Sequence, residues 1–157
     1  MNSDIEILKE YNKNTIEKLV KIHLAAFEKF NFRPWNYLDF IDLLNNGSKL
    51  FYYRSENKIF GFVIVNFSSE FSEIITIAVD SIYQGNGIGR KLLKYIINYP
   101  KFYGELHLEV AKNNYNAIAF YKEFDFNIIS ERKNYYLIYK GKNKGNKVDA
   151  LVMKFSK

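Results

Sequence analysis

The sequence contains no cysteine among its 157 residues. That absence excludes disulfide bonds, thiolate metal sites and a cysteine nucleophile. Histidine is also scarce, and because His23 and His107 are the only two, we expect no metal site. No apolar run approaches the roughly 20 residues of a membrane-spanning helix, and no charged and then apolar signal region opens the chain. We therefore expect a cytoplasmic protein that does not contact a membrane.

Negative charge is scarce at the C-terminal end of the chain. The formal net charge is +6, and residues 131–157 hold eight lysine or arginine residues against two acidic ones, whereas residues 1–130 are balanced. Such a basic edge could contact RNA, a ribosomal surface or an acidic peptide. It could equally be a solvated, lysine-rich hairpin tip, which discourages pairing between strand edges. We favour the hairpin tip as the simpler interpretation.

Hydrophobic periodicity and turn residues predict an α/β protein with a mixed sheet and helices on both faces. The predicted strands lie at residues 5–8, 50–54, 59–67, 73–80, 105–111, 126–139 and 148–155. Four helices are predicted. The first begins at an Asn14-Thr15 cap, and the second contains Leu38, Ile41 and Leu44. The third follows the glycine-rich loop and stops before Pro100, and the fourth spans residues 114–123. No repeat or linker is apparent, so we expect a single domain over residues 1–157.

A glycine-rich loop joins the strand at residues 73–80 to the third helix. It reads Gln84-Gly85-Asn86-Gly87-Ile88-Gly89-Arg90. Glycine lets this backbone pass close to a ligand and adopt a positive φ without a Cβ clash. The first amides of the following helix have no intrahelical acceptor, and together with the helix dipole they favour an anion. The sequence therefore predicts a phosphate or pyrophosphate site, to which Arg90 adds positive charge.

The residues that this loop lacks narrow the choice of ligand. A P-loop needs Gly-Lys-Ser/Thr after its glycines, whereas Ile88-Gly89-Arg90 follows Gly87. A dinucleotide fingerprint would place glycine where Arg90 stands. The remaining pattern, Gln84-x-x-Gly87-x-Gly89 between a strand and a helix, resembles the acetyl-CoA loop of the GNAT N-acetyltransferase superfamily. An ordinary glycine-rich turn between a strand and a helix is the alternative.

A second informative segment is the predicted strand at residues 105–111. Alternation places Leu106, Leu108 and Val110 on one face, and Glu105, His107 and Glu109 on the other. Because predicted helices before and after this strand would cover both faces, three polar side chains in a row require an explanation. We expect His107 to be packed and hydrogen-bonded.

Further motifs resemble the bacterial ribosomal-protein-alanine N-acetyltransferases, a family within that superfamily. They are Leu108-Glu109-Val110, Asn114, Ala117-Ile118-x-x-Tyr121, Arg132-x-Asn134-Tyr135-Tyr136 and Asp149-Ala150-x-x-Met153. Pro34-Trp35 and Ile77-Ala78-Val79-Asp80 match as well, so the resemblance runs from about Phe27 to Met153. The loop at residues 86–88 and the long basic segment between Tyr139 and Val148 depart from the family pattern, which leaves the substrate open.

The resemblance implies transfer of acetyl from acetyl-CoA to the N-terminal amine of a protein, in particular alanine of a small-subunit ribosomal protein. That reaction needs a base for the ammonium proton and an acid for the departing thiolate. A carboxylate with a pKa raised by partial burial suits the first role, and tyrosine, with its high pKa, suits the second. In the family these roles fall on Glu109 and Tyr121. Without a cysteine to carry an acetyl group, we expect direct transfer in a ternary complex.

The same resemblance implies two binding surfaces. Acetyl-CoA is expected between diverging strands at residues 74–80 and 105–111, with contacts from Ile77, Ala78, Val79, Gln84, Gly85, Asn86, Gly87, Ile88, Gly89, Arg90 and Asn114. Aromatic residues in loops beside that groove suit peptide binding. We therefore assign substrate contacts to Pro34, Trp35, Tyr135 and Tyr136.

Simpler explanations exist for several of these residues. Asn114 could cap its own helix, Arg90 could neutralise neighbouring side chains, and Glu109 could be paired with a lysine. Tyr121 and the aromatic residues of the groove could be core.

The alternative functions are a GNAT enzyme acting on a small-molecule amine or a lysine side chain, and a non-catalytic module that binds acetyl-CoA or RNA. No RNA-recognition motif is apparent, so we do not expect nucleic-acid binding.

Overall fold

A computed structural model describes residues 4–157, so the first three residues of the expected domain lie outside the described residues. Over the described range the chain forms one seven-stranded mixed sheet and four α-helices, which confirms the predicted fold class. The strands are β1 (Ile5–Ile7), β2 (Lys49–Ser55), β3 (Lys58–Asn66), β4 (Ser72–Val79), β5 (Glu105–Ala111), β6 (Asn127–Leu137) and β7 (Lys147–Ser156). The helices are α1 (Lys13–Phe27), α2 (Tyr37–Asn45), α3 (Ile88–Ile97) and α4 (Tyr115–Lys122).

The helices cover the two faces of the sheet, and each face buries its own apolar cluster. The strand order is β1-β2-β3-β4-β5-β7-β6, in which only β4 and β5 pair in parallel. On one face α3 buries Leu92, Leu93 and Ile96 against residues of β2, β3 and β5. On the other face α1 and α2 bury Ile16, Leu19, Phe40 and Leu44 against Leu50, Phe62 and Ile64.

Local capping sets where the first two helices begin. The cap of α1 is Asn12, whose Oδ1 accepts from the Thr15 amide at 3.2 Å, so the predicted cap at Asn14-Thr15 is two residues late. A capping box between Asn36 and Asp39 starts α2. This start turns Phe40 to the core together with Leu44, one helical turn on, whereas Leu38 is 65% exposed. The predicted helix through Leu38, Ile41 and Leu44 therefore forms, with Leu38 on its solvent side.

The parallel strands β4 and β5 separate after a short pairing. Their register covers only Ser72–Ile74 against Leu106–Leu108, while β4 continues along β3 and β5 continues along β7. An irregularity in the β3–β4 pairing leaves Ile75 without a partner, and such bulges increase strand twist. The two strands therefore diverge towards Val79 and Ala111, as expected, and a cleft opens between them.

The alternation of β5 is as predicted, but one of its faces is more open than expected. Leu106, Leu108 and Val110 are buried. On the opposite face α1 packs on β3 and β4, which leaves Glu105 and His107 partly exposed. His107 bonds Glu105 through Nε2 at 2.8 Å and stacks on Phe71, so its packed, hydrogen-bonded role is confirmed. The polar run is thus explained in part by contact with solvent.

Candidate active site

A cavity of about 950 Å³ opens where β4 and β5 diverge. Residues 74–79 and 108–111 form its floor, and the loop before α3 together with α4 forms one side. The end of α1, the loop that follows it and the C-terminal end of β6 form the other side. The fold thus brings most of the residues singled out in the sequence to a single cavity.

The glycine loop adopts the backbone that its sequence predicts. Gly85 and Gly87 have φ of 81° and 78°, and Gly87 is the N-cap residue of α3. Gly89 lies within the helix, where a Cβ would meet Phe120 at 3.6 Å, an ordinary contact distance. Glycine at this position therefore leaves space at the cavity wall, and the unpaired amides at the start of α3 lie beside that space.

Two amide side chains hold this loop to the end of β4. Gln84 Nε2 donates to the Val79 carbonyl at 3.1 Å, and Asn86 Nδ2 donates to the Tyr83 carbonyl at 3.0 Å. Of the eleven residues expected to contact acetyl-CoA, ten line the cavity and Asn86 does not. The structure therefore gives the Asn86 side chain a role in shaping the loop.

Arg90 and Asn114 each adopt the simpler role foreseen for them while also lining the cavity. The Arg90 guanidinium forms an ion pair with Glu123 at the end of α4. Asn114 is the N-cap of α4, and its Oδ1 accepts from the Ala117 amide at 3.2 Å. An anion at the start of α3 would therefore compete with Glu123 for Arg90.

Glu109 extends from β5 into the cavity, where its side chain is 16% exposed. Its Oε1 lies 2.7 Å from Nε of Arg132 on β6, so Glu109 is paired with an arginine and not with the lysine of the alternative interpretation. The Tyr135 hydroxyl also bonds this carboxylate, which raises the pKa of Tyr135. Three groups from β5 and β6 are therefore fixed against one another.

A second carboxylate, that of Glu73 on β4, was not among the site residues predicted from the sequence. Burial and the charge of Glu109 both raise the pKa of Glu73. Its β4 position pairs with His107 of β5, on the side of the sheet that carries Glu109. The available signal was a single acidic residue in the otherwise apolar strand that precedes the glycine loop.

Tyr121 lies on α4, between the core and the cavity. Its side chain is buried against Phe120 and Phe126, and it also lines the cavity, so it is a core residue and a candidate site residue at once. Burial raises the pKa of Tyr121 well above its ordinary value. The hydroxyl is therefore protonated at neutral pH and able to donate a proton.

Pro34, Trp35, Tyr135 and Tyr136 all line the cavity on the side formed by α1 and β6. The Tyr136 ring stacks on Phe32 at 4.8 Å and lies 4.9 Å from the Tyr135 ring. The structure therefore gathers all four residues assigned to substrate contact into one aromatic wall.

Beneath this wall lies His23 of α1, for which the sequence predicted no role in the site. Its ring stacks on Trp35 with centroids 4.4 Å apart, and its Nδ1 is buried without a hydrogen-bond partner among residues 4–157. Burial lowers the pKa of His23 to about 4, against a weaker opposing effect of Asp39. The imidazole is thus neutral near pH 7 and supports Trp35 by stacking.

Comparison with known proteins connects this cavity to acetyl transfer. The sequence model of the acetyltransferase (GNAT) family matches residues 16–126. The chain is 32% identical over 148 residues to ribosomal protein bS18-alanine N-acetyltransferase of Escherichia coli strain K12, covering 89% of this chain and 95% of that relative.

Two solved structures share the fold. The crystal structure of ribosomal-protein-S18-alanine N-acetyltransferase from Escherichia coli has a TM-score of 0.81 at 26% identity, covering 97% of this chain and 93% of that one. A GNAT family acetyltransferase from Elizabethkingia anophelis with acetyl-CoA bound has a TM-score of 0.71 at 22% identity, covering 99% and 100%.

The chain belongs to the acetyltransferase (GNAT) family. It is an acetyl-CoA-dependent N-acetyltransferase. None of the helices in the described part of the chain is long and apolar enough to cross a membrane. Residues 4–157 contain no cluster of three or more acidic or histidine side chains that could hold a metal ion.

Proposed function

We propose that this enzyme transfers the acetyl group of acetyl-CoA to the N-terminal α-amine of a protein, with an alanine-first ribosomal protein as acceptor. A continuous cavity carries the proposal, because it joins the glycine loop to the aromatic wall with Glu109 and Tyr121 on its lining. Relatives that modify ribosomal proteins support the same acceptor class. A ribosomal acceptor would be met in the cytoplasm, which is the location we propose.

The cofactor half of the cavity suits a ligand with phosphates at one end and amides along its length. The pyrophosphate of acetyl-CoA would bind the free amides at the start of α3. In the described part of the chain, β4 forms no pairing with β5 after Ile74. On the edge of β4 that faces away from β3, residues 77–79 therefore have peptide groups that β5 does not pair, apart from the Val79 carbonyl that Gln84 binds, and these groups would bind the amides of the pantetheine arm.

Glu109 and Tyr121 divide the proton transfers between them. Glu109 would accept a proton from the acceptor ammonium, directly or through water, and the neutral amine would attack the thioester carbonyl. Collapse of the tetrahedral intermediate breaks the carbon–sulfur bond, and Tyr121 would donate its proton to the leaving CoA thiolate. The second proton of the attacking nitrogen leaves as the amide forms and would restore the Tyr121 hydroxyl, directly or through water. The chain has no cysteine, so transfer is direct.

An N-terminal amine is also the acceptor that a carboxylate base deprotonates most readily. The ordinary pKa of an α-amine is about 8, whereas that of a lysine side chain is about 10.4. Near neutral pH, a far larger share of α-amines than of lysine side chains is already neutral, and the remaining α-ammonium groups lose a proton to the base more readily. This difference favours a protein N-terminus over a lysine side chain.

The deciding experiment measures release of the CoA thiol from acetyl-CoA with two peptides of the same sequence. One begins with a free alanine, and the other has a blocked N-terminus and an internal lysine. We expect release only with the free terminus, and the cysteine-free protein gives no thiol background. Equal release with both peptides would assign the enzyme to side-chain acetylation and refute the proposal.

A further inference from the structure

Four lysines border the acceptor side of the cavity, and we call them the basic rim: Lys29, Lys140, Lys142 and Lys144. Lys29 and Lys140 line the cavity on the side that holds the aromatic wall. Lys142 and Lys144 follow Lys140 in the exposed turn between β6 and β7. Part of the excess positive charge seen in the sequence thus lies at the cavity or in the turn that continues from it.

The turn that carries three of these lysines is fixed against the loop after α1. The Tyr139 amide donates to the Asn31 carbonyl at 2.7 Å, and Phe32 and Ile138 form a β-bridge. Within the turn the Gly145 amide donates to the Ile138 carbonyl at 2.9 Å. The rim lysines therefore extend from backbone that is anchored beside the cavity.

The charge of the basic rim is not neutralised within the protein. None of its four lysines has a carboxylate within ion-pair distance among residues 4–157. Other cations at the cavity are paired, for example Arg33 with Asp39 and Arg132 with Glu109. No acidic residue occurs between Glu131 and Asp149, and the acidic residues of the cavity lining are Glu28 and Glu109, the latter paired with Arg132.

We infer that the basic rim selects acceptor proteins with acidic side chains shortly after the first residue. This inference rests on the proposed N-terminal acetylation. An extended peptide advances about 3.3 Å per residue, so its third and fourth residues lie roughly 7 Å and roughly 10 Å from the first, which carries the reacting amine. Carboxylates there meet unpaired ammonium groups at the cavity mouth, and complementary charge favours encounter and register.

An acidic peptide fits these observations better than RNA does. The rim is a short set of charges around a cavity, whereas strong RNA binding uses six or more phosphate contacts along a track. The lysines also lie on the aromatic side of the cavity, away from the start of α3 that would hold the cofactor phosphates. The rim is therefore positioned to contact the acceptor.

The test compares three fluorescent peptides that begin with alanine and carry aspartate, serine or lysine at positions three and four. Dissociation constants are measured with the CoA-loaded protein at low ionic strength, and kcat/KM is measured with acetyl-CoA. Exposed charge pairs are individually weak, so we expect the aspartate peptide to have a roughly fivefold lower dissociation constant and a roughly fivefold higher kcat/KM than the serine peptide. The lysine peptide should be the weakest, and added salt should reduce all differences.

Charge reversal supplies the matched control. The double variant Lys140→Glu, Lys144→Glu should abolish or invert the preference for aspartate. The double variant Lys9→Glu, Lys101→Glu changes the net charge equally at exposed positions outside the cavity lining, and should keep the preference. Equal loss in both variants would overturn the inference, because general charge would then explain the selectivity.

The binding and turnover measurements separate the two proposals. If all three alanine-first peptides bind equally and are acetylated at equal kcat/KM, the inference about the basic rim is refuted. The proposal of N-terminal acetylation is then unaffected. Charge-selective binding without any acetyl transfer would retain the rim and refute the proposed function. Salt-sensitive binding of a uridine oligonucleotide to the wild type but not to the Lys140/Lys144 variant, without peptide selectivity, would show a nucleic-acid surface instead.

Discussion

Glu109 and Tyr121 are held in different surroundings on the same cavity. Arg132 and Tyr135 fix the Glu109 carboxylate through an ion pair and a hydrogen bond. Tyr121 is fixed by packing among aromatic rings, and burial raises its pKa. A polar environment therefore keeps a proton acceptor in place, while an apolar one keeps a proton donor protonated.

Removing the charge of Glu109 tests its role as base. We expect Glu109→Gln to lower kcat by about a hundredfold with little change in acetyl-CoA affinity, because an amide cannot take the ammonium proton. Glu105→Gln is the matched control, since Glu105 lies on the same face of β5 but outside the cavity lining. Equal kcat for wild type and Glu109→Gln would rule out this assignment.

Tyr121→Phe removes one hydroxyl and leaves the packing intact. We expect a loss in kcat of at least tenfold without a drop in thermal stability, because the thiolate would then depart unprotonated. Tyr95→Phe, at a ring packed in the same core but outside the cavity lining, should keep full activity. Since the pKa of Tyr121 is raised, the wild type should not lose turnover through its ionisation below about pH 10.

At the scale of elements, the cofactor site depends on how β4 leads into α3. Gly85 and Gly87 supply the positive φ values of the loop, and Gln84 ties the loop back to Val79. The start of α3 is thereby placed beyond the end of β4 that has diverged from β5. The anion site therefore arises from one continuous stretch of chain.

Substitution at Gly89 separates the cofactor site from the fold. We expect Gly89→Glu to weaken acetyl-CoA binding at least a hundredfold by calorimetry, because a carboxylate would occupy and repel the pyrophosphate position. A negative charge in the first turn favours the helix itself, so thermal stability should be kept. Gly89→Ala, whose Cβ fits at 3.6 Å from Phe120, should bind far better than Gly89→Glu. Unchanged affinity in Gly89→Glu would exclude this site.

At the scale of the whole molecule, His23 links α1 to Trp35 and to the sheet, and it makes stability depend on pH. The pKa of His23 is about 4 in the fold and 6.5 ordinarily, so the unfolded chain binds more protons between these values. The free energy of unfolding should therefore be fully retained above pH 6.5 and fall by about 3 kcal/mol as the pH drops to 4.

Denaturant titrations from pH 4 to pH 7 measure this dependence directly. His23→Gln, which carries no proton in this range, should show a flatter curve than the wild type. His107→Gln serves as the control, because His107 lies at the partly exposed face of β5 and packs away from α1. Curves of the same slope for wild type and His23→Gln would assign the pH dependence to other groups.

Much of the architecture was predictable because its signals are local. The alternation in β5, the positive-φ glycines before α3 and the Asn114 cap of α4 depend on residues a few positions apart. The start of α1 was predicted two residues late, because Asn12 and Asn14 both suit a cap and only the structure shows that Asn12 accepts from the Thr15 amide.

The sequence by itself determined the order of elements, the glycine loop and the residue types of the site, since periodicity and backbone freedom act over short distances. Only the tertiary structure decided that Arg132 contacts Glu109, that Glu73 lies near the same charge, and that Lys140 borders the cavity. These contacts join residues far apart in the chain. They depend on the order β4-β5-β7-β6 and on the separation of β4 from β5, which long-range strand pairing sets.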